Sequence, residues 1–199
     1  MKFFVNFLSA FRIAVAFAII PTLMFGMYWT TFILYILGAA SDWFDGYLAR
    51  KYNVCTKIGG VMDHIGDKLL VVNTFIMLSI MTSAWFIVIP IIIMIARELY
   101  ISGLREFLGT QKIEMPVPKA RFSMGKIKTT LQMISIAAFL LIFAIGSSIS
   151  PELDSSILMF TVHILPYIGV WGLWLSLVAS VWSATQYTIT FLGHLKKIK

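Results

Sequence analysis

The chain has 199 residues, 59% of them hydrophobic, with a mean hydropathy of +0.89 and a formal net charge of +7. A soluble domain is nearer half apolar, and a nucleic-acid binder would carry its excess cations on a polar surface. Here the cations lie between long apolar stretches, so the composition points to a membrane and away from nucleic acid. The length suits a single domain, 1–199.

Taken in chain order, the apolar stretches predict an all-α, polytopic protein of six transmembrane helices, each needing about 20 mostly apolar residues. An amphipathic, interfacial helix over 1–12, with Lys2, Asn6, Ser9 and Arg12, precedes the first span at about 13–27. Because Arg12 interrupts this run and no small-residue cleavage site follows, it reads as an anchored segment rather than a signal peptide. A tight hairpin at Met27, Tyr28 and Trp29 leads into the second span at about 30–45. The remaining spans are read at about 69–81, 85–101, 129–145 and 158–192. Several of these stretches are short, so their helices extend past them with polar ends. With the N-terminus inside, the outer connections near 27–30, 81–84 and 146–156 contain no Lys or Arg, and all 16 basic residues fall on the inner side. That asymmetry is the positive-inside pattern. Trp29 and Trp85 sit at the outer ends as interfacial anchors. The inner connection 109–119, with Pro116 and Pro118, reads as a mobile loop. Cys55 is the only cysteine, which rules out an intramolecular disulfide.

The inner edge carries the chemistry. Asp42 and Asp45 are three apart at the end of one predicted helix, and Asp63 and Asp67 are four apart at the start of the next. These spacings put each pair on one helix face, and two antiparallel helices can point all four carboxylates into one volume. Four carboxylates raise one another's pKa, and burial adds desolvation cost. Divalent cations relieve both, and an oxygen-only donor set suits Mg²⁺, Mn²⁺ or Ca²⁺ rather than zinc. His64 lies between the acids but out of helical phase with them. Gly46 and Gly59 weaken a helix by about 1 kcal/mol each relative to Ala, so their use suggests close approach of a ligand or another helix. Ala49 extends the small surface and Arg50 adds a fixed cation. Metals, small residues and a guanidinium together describe a diphosphate site.

A second cluster follows over 97–128. Arg97, Glu98, Arg105 and Glu106 lie on or just past the fourth span, and charges at that depth usually face the bundle interior. Arg97 and Arg105 are eight apart, near one helix face. Arg121, Lys126 and Lys128 enter the fifth span. This excess of cations beside an acidic site suits a phosphorylated acceptor better than a neutral alcohol. Anchoring of helix ends on anionic lipid is the simpler reading for Lys112, Lys119 and 196–199.

The pattern Asp42-x-x-Asp45-Gly46-x-x-Ala49-Arg50, then eight residues, then Gly59-x-x-x-Asp63-x-x-x-Asp67, resembles the signature of the CDP-alcohol phosphotransferases at every defining position. The resemblance implies a six-helix membrane fold, usually a homodimer, and a dinuclear Mg²⁺ or Mn²⁺ site held by Asp42, Asp45, Asp63 and Asp67. Gly46, Ala49, Arg50 and Gly59 would bind the CDP-linked lipid, and Asp67 is the family's proposed general base. An alcohol attacks that lipid and CMP leaves.

The stretches 95–106 (IARELYISGLRE), 125–133 (GKIKTTLQM) and 6–13 (NFLSAFRI) are similar to those of bacterial phosphatidylglycerophosphate synthases. This narrower likeness implies CDP-diacylglycerol and sn-glycerol 3-phosphate as substrates. Arg97, Arg105, Lys126 and Lys128 would hold the acceptor phosphate. It also implies a bacterial inner membrane with the site facing the cytoplasm. His64 and Gly66 depart from the common Pro and Ala there, and the likeness is weak over 146–165. The competing readings are a same-family enzyme using inositol phosphate, serine or phosphatidylglycerol, an intramembrane cation transporter, and a scaffold that binds anionic lipid.

Overall fold

A computed structural model describes residues 2–52, 57–110, 124–148 and 159–198; within these, several inner-edge side chains, including those of 45–50, fall outside the description. Six long helices make up the described chain, which contains no strand: α1 Lys2–Met24, α2 Tyr28–Tyr52, α3 Lys57–Thr82, α4 Trp85–Thr110, α5 Met124–Gly146 and α6 Leu165–Ile198. A π-helical turn, Phe160–Ile164, runs into α6 and is closed by the Leu165 N–H donating to the Phe160 carbonyl. In hydrocarbon every backbone polar group must be satisfied internally, so an apolar chain of this composition settles into long helices. Five helices are long and apolar enough to cross a membrane by length and composition. The sixth is α2, whose acids and ring hydroxyls dilute an otherwise apolar helix. The protein is therefore an integral, multi-pass, all-α membrane protein.

Three boundaries differ from the sequence reading. The interfacial stretch and the first span are one uninterrupted helix, because Asn6, Ser9 and Arg12 do not break the hydrogen-bond ladder of α1. The first hairpin falls at Phe25–Met27 rather than Met27–Trp29. Gly26 takes φ +72° there, a conformation that favours glycine, and the Met27 N–H donates to the Thr22 carbonyl at 2.8 Å. The acid motif lies within helices rather than at their ends: α2 continues to Tyr52, and α3 already begins at Lys57. The connections 111–123 and 149–158, the first containing Pro116 and Pro118, lie outside the described residues.

The helices pack as two layers that share a core. α1 packs on α2 and α3; α6 packs on α5 and α4; α2 meets α5 across the middle. Val15, Ile19 and Leu23 of α1 pack with Tyr35, Leu70, Phe75, Ile91, Ile136 and Leu173 in one buried cluster. Lipid tails are as apolar as leucine, so burial alone does not drive this association; small residues and polar contacts do. A Cβ at Gly38 would lie 3.1 Å from Leu70 Cδ2, and one at Gly66 would lie 3.3 Å from Ile13 Cγ1. These glycines let α1, α2 and α3 close on one another. The Asn73 amide donates to the Ala16 carbonyl at 2.9 Å and ties α3 to α1. Large apolar side chains such as Phe17, Ile33, Ile89 and Leu175 face outward, as a lipid-exposed surface requires.

Candidate active site

The acid motif is organised from α1. Arg12 is fully buried, and its Nη1 reaches Asp42 Oδ1 of α2 at 3.1 Å and Asp63 Oδ1 of α3 at 2.7 Å. Nε also approaches Ser41 Oγ at 3.4 Å. Both carboxylates are half-exposed while the guanidinium is closed off from solvent. One cation from a helix outside the motif thus brings its two helices together. Gly66 packs against this contact: a Cβ there would meet Ile13 Cγ1 closely, at 3.3 Å, and Arg12 Cδ at an ordinary 3.5 Å.

Asp67 lies between the two charged clusters, within electrostatic reach of Asp42, Asp63 and Arg12 and of Lys128. One turn along α3 from Asp63, it lines a pocket between α3, α4 and α5 together with Lys68, Val71, Val72, Glu98, Lys128, Thr129 and Gln132. Its Oδ1 is buried and has no hydrogen-bond partner. A buried carboxylate oxygen without a donor is costly, and a hydroxyl proton or a cation would satisfy it. Across the pocket, Lys128 is ion-paired with Glu98, which also takes Arg97 Nη1 at 3.1 Å. Lys68 donates to Ser102. One pocket therefore joins an acid of the motif to lysines from two helices.

The other sequence-predicted residues are placed unevenly. Gly59 is buried in the first turn of α3. The backbones of Asp45, Gly46, Ala49 and Arg50 belong to α2 and that of Lys126 to α5, but their surroundings lie outside the described residues. Arg97 and Arg105 share a face of α4, as their spacing predicts, and that face meets α6. Arg97 donates to the Ser180 carbonyl and to Ser183 Oγ, each at 3.1 Å. Arg105 is exposed, donates to Tyr187 Oη at 2.9 Å and stacks over its ring. Among the predicted acceptor ligands with described side chains, Lys128 lines the pocket and Arg97 and Arg105 do not. His64 is exposed.

Arg12, Lys68 and Glu98 are the residues that the sequence reading does not assign to the site. A signal existed for Arg12: a charge inside an apolar run is expensive at that depth and needs a partner.

Among the described residues no three metal-ligating side chains close on one point; Asp45 lies outside them. The donor chemistry nevertheless fits a hard divalent cation. Asp42 and Asp63 present carboxylates from facing helices, and Asp67 carries an unpartnered oxygen.

The CDP-alcohol phosphatidyltransferase family model matches residues 3–182. A CDP-diacylglycerol–glycerol-3-phosphate 3-phosphatidyltransferase of Pectobacterium atrosepticum is 32% identical over 187 residues, 90% of each chain. The enzyme of that name from Sodalis glossinidius is 32% identical over 155 residues, 78% of this chain and 74% of the relative. The one from Rickettsia bellii is 42% identical over 109 residues, 55% of this chain and 57% of the relative.

Proposed function

The chain belongs to the CDP-alcohol phosphatidyltransferase family, and from that premise we propose that it transfers the phosphatidyl group of CDP-diacylglycerol to sn-glycerol 3-phosphate, giving phosphatidylglycerol phosphate and CMP. The observation that carries this reading is a pocket lined by Asp67, Lys68 and Lys128 together. Relatives carrying the corresponding enzyme name, one of them aligned over 90% of both chains, support the same choice of acceptor.

In this reading the acyl chains of CDP-diacylglycerol stay in lipid, and Gly46, Ala49, Arg50 and Gly59 receive its CDP part. When bound, Mg²⁺ or Mn²⁺ ions held by Asp42, Asp45, Asp63 and Asp67 supply neutralisation of the diphosphate charge. sn-Glycerol 3-phosphate enters the pocket with its phosphate on Lys128 and Lys68. Arg97 acts on Lys128 through their shared Glu98, while Arg105 and Lys126 add to the positive field of the inner face. Asp67 accepts the proton of the C1 hydroxyl. The resulting oxygen nucleophile forms a bond to the β-phosphorus as the bond to the CMP oxygen breaks, and CMP leaves with that electron pair. The absence of basic residues from the proposed outer connections supports a site facing the cytoplasm of a bacterial inner membrane. A homodimer completes the reading on the family resemblance.

CMP release by the purified protein tests it, with CDP-diacylglycerol and each of glycerol 3-phosphate, inositol phosphate, serine and phosphatidylglycerol as acceptor. Release with glycerol 3-phosphate alone is expected. Release with another acceptor instead would move the protein elsewhere in the family, and cation flux without CMP release would favour a transporter.

A further inference from the structure

Arg12 stands outside every segment that the signature defines, yet it is the side chain that joins the motif's two helices. Its Nη1 is shared by Asp42 Oδ1 and Asp63 Oδ1 at 3.1 and 2.7 Å. Its surroundings are specific: Ser41 Oγ lies beside Nε, and Gly66 packs against its stem. A fully buried guanidinium is retained at this depth only with compensating partners.

The same contact has an electrostatic consequence. A fixed positive charge beside two oxygens repels any divalent cation that those oxygens also hold. Arg12 thus has two effects that oppose each other: it supports the folded site without a metal, and it weakens the attraction of the site for one.

We propose that Arg12 is a positioning residue that holds Asp42 and Asp63 at a common point and limits how tightly these acids bind divalent cations. The proposal rests on reading the acid motif as a metal site.

The test is Mn²⁺ binding and melting of the full chain in detergent, stripped of metal and then titrated with Mn²⁺. Free Mn²⁺ is followed by electron paramagnetic resonance. Relative to the wild type, Arg12→Gln should melt lower without metal and gain more from Mn²⁺. It should bind Mn²⁺ about tenfold more tightly, less than the bare Coulomb term at an effective dielectric near 20, because loss of the tether offsets part of it. Arg12→Lys keeps the charge and should bind Mn²⁺ within about twofold of the wild type. Equal or weaker Mn²⁺ binding by Arg12→Gln would overturn the proposal. So would an Arg12→Lys affinity that moves as far as that of Arg12→Gln. If Arg12→Gln folds only when purified with Mn²⁺ throughout, the metal is replacing the lost tether, as expected; failure to fold even then would overturn the proposal. A wild type that binds no Mn²⁺ would overturn the metal reading as well, which separates the two failures.

Discussion

The acid cluster of α1, α2 and α3 and the basic cluster of α4, α5 and α6 are built in opposite ways. In the first, two half-exposed carboxylates turn outward while one buried cation ties them from behind. In the second, Arg97 and Lys128 are held on internal partners: Glu98 takes both, Ser180 and Ser183 of α6 take further Arg97 donors, and the exposed Arg105 donates to Tyr187. The acids keep capacity for a ligand from outside, whereas a ligand of the cations has to compete with an internal carboxylate. In the proposed reaction the acid side carries the chemistry, and the basic side, through Glu98, bears on the acceptor.

Substitutions can break this comparison at several depths. The largest effect is expected for Asp67→Asn, which removes the proton acceptor. CMP release should fall by about 10²–10⁴-fold while metal-dependent binding of CDP-diacylglycerol persists. Near-normal turnover would remove Asp67 as the base. Glu98→Gln comes next, because it leaves Lys128 and Arg97 without their shared counter-charge. A loss of roughly 2 kcal/mol in thermal or denaturant unfolding is expected, below the full cost for a buried pair because Glu98 retains some exposure. Unchanged unfolding would mean that the pairs are incidental.

Arg97→Ala should raise the KM for glycerol 3-phosphate several-fold, and more than that for CDP-diacylglycerol, since it acts on the acceptor side through Glu98. An equal rise for both substrates would assign Arg97 to the packing of α4 on α6. Arg105→Ala should change either KM by less than about threefold, because an exposed pairing contributes little; a large acceptor effect would place the phosphate near α6. Smallest of all is Gly66→Ala. It gains up to about 1 kcal/mol in helix propensity but presses a methyl group against Ile13 and the stem of Arg12. A net change within about 1 kcal/mol is expected, read as a small shift in melting temperature.

Much of the molecule was legible in the chain. The placing of Asp63 with Asp67 was legible because helical periodicity turns an interval of four into a shared face, whereas the interval from Asp42 to Asp45 ends on a side chain outside the described residues. The multi-pass architecture follows from apolar runs because lipid leaves the backbone few alternatives to helix. That helices extend past their apolar stretches was readable too, but α2 to Tyr52 and α3 from Lys57 run far enough to put the acid motif within them and not at their ends.

Partner choice was not legible. A sequence shows that Arg12, Arg97 and Lys128 are costly at their depth, since each charge in an apolar run must find compensation. It does not show which carboxylate compensates it, because pairs separated by 51 residues, as Arg12 and Asp63 are, or by 30, as Lys128 and Glu98 are, leave no periodic trace. Helix packing decides those pairs: α1 lies along α3, and the contact between α4 and α6 captures Arg97 and Arg105. The sequence by itself determined the kind of chemistry at the inner edge. Only the tertiary structure decided that Asp42 and Asp63 are tied by a residue of the first helix and that Arg97 and Lys128 share Glu98.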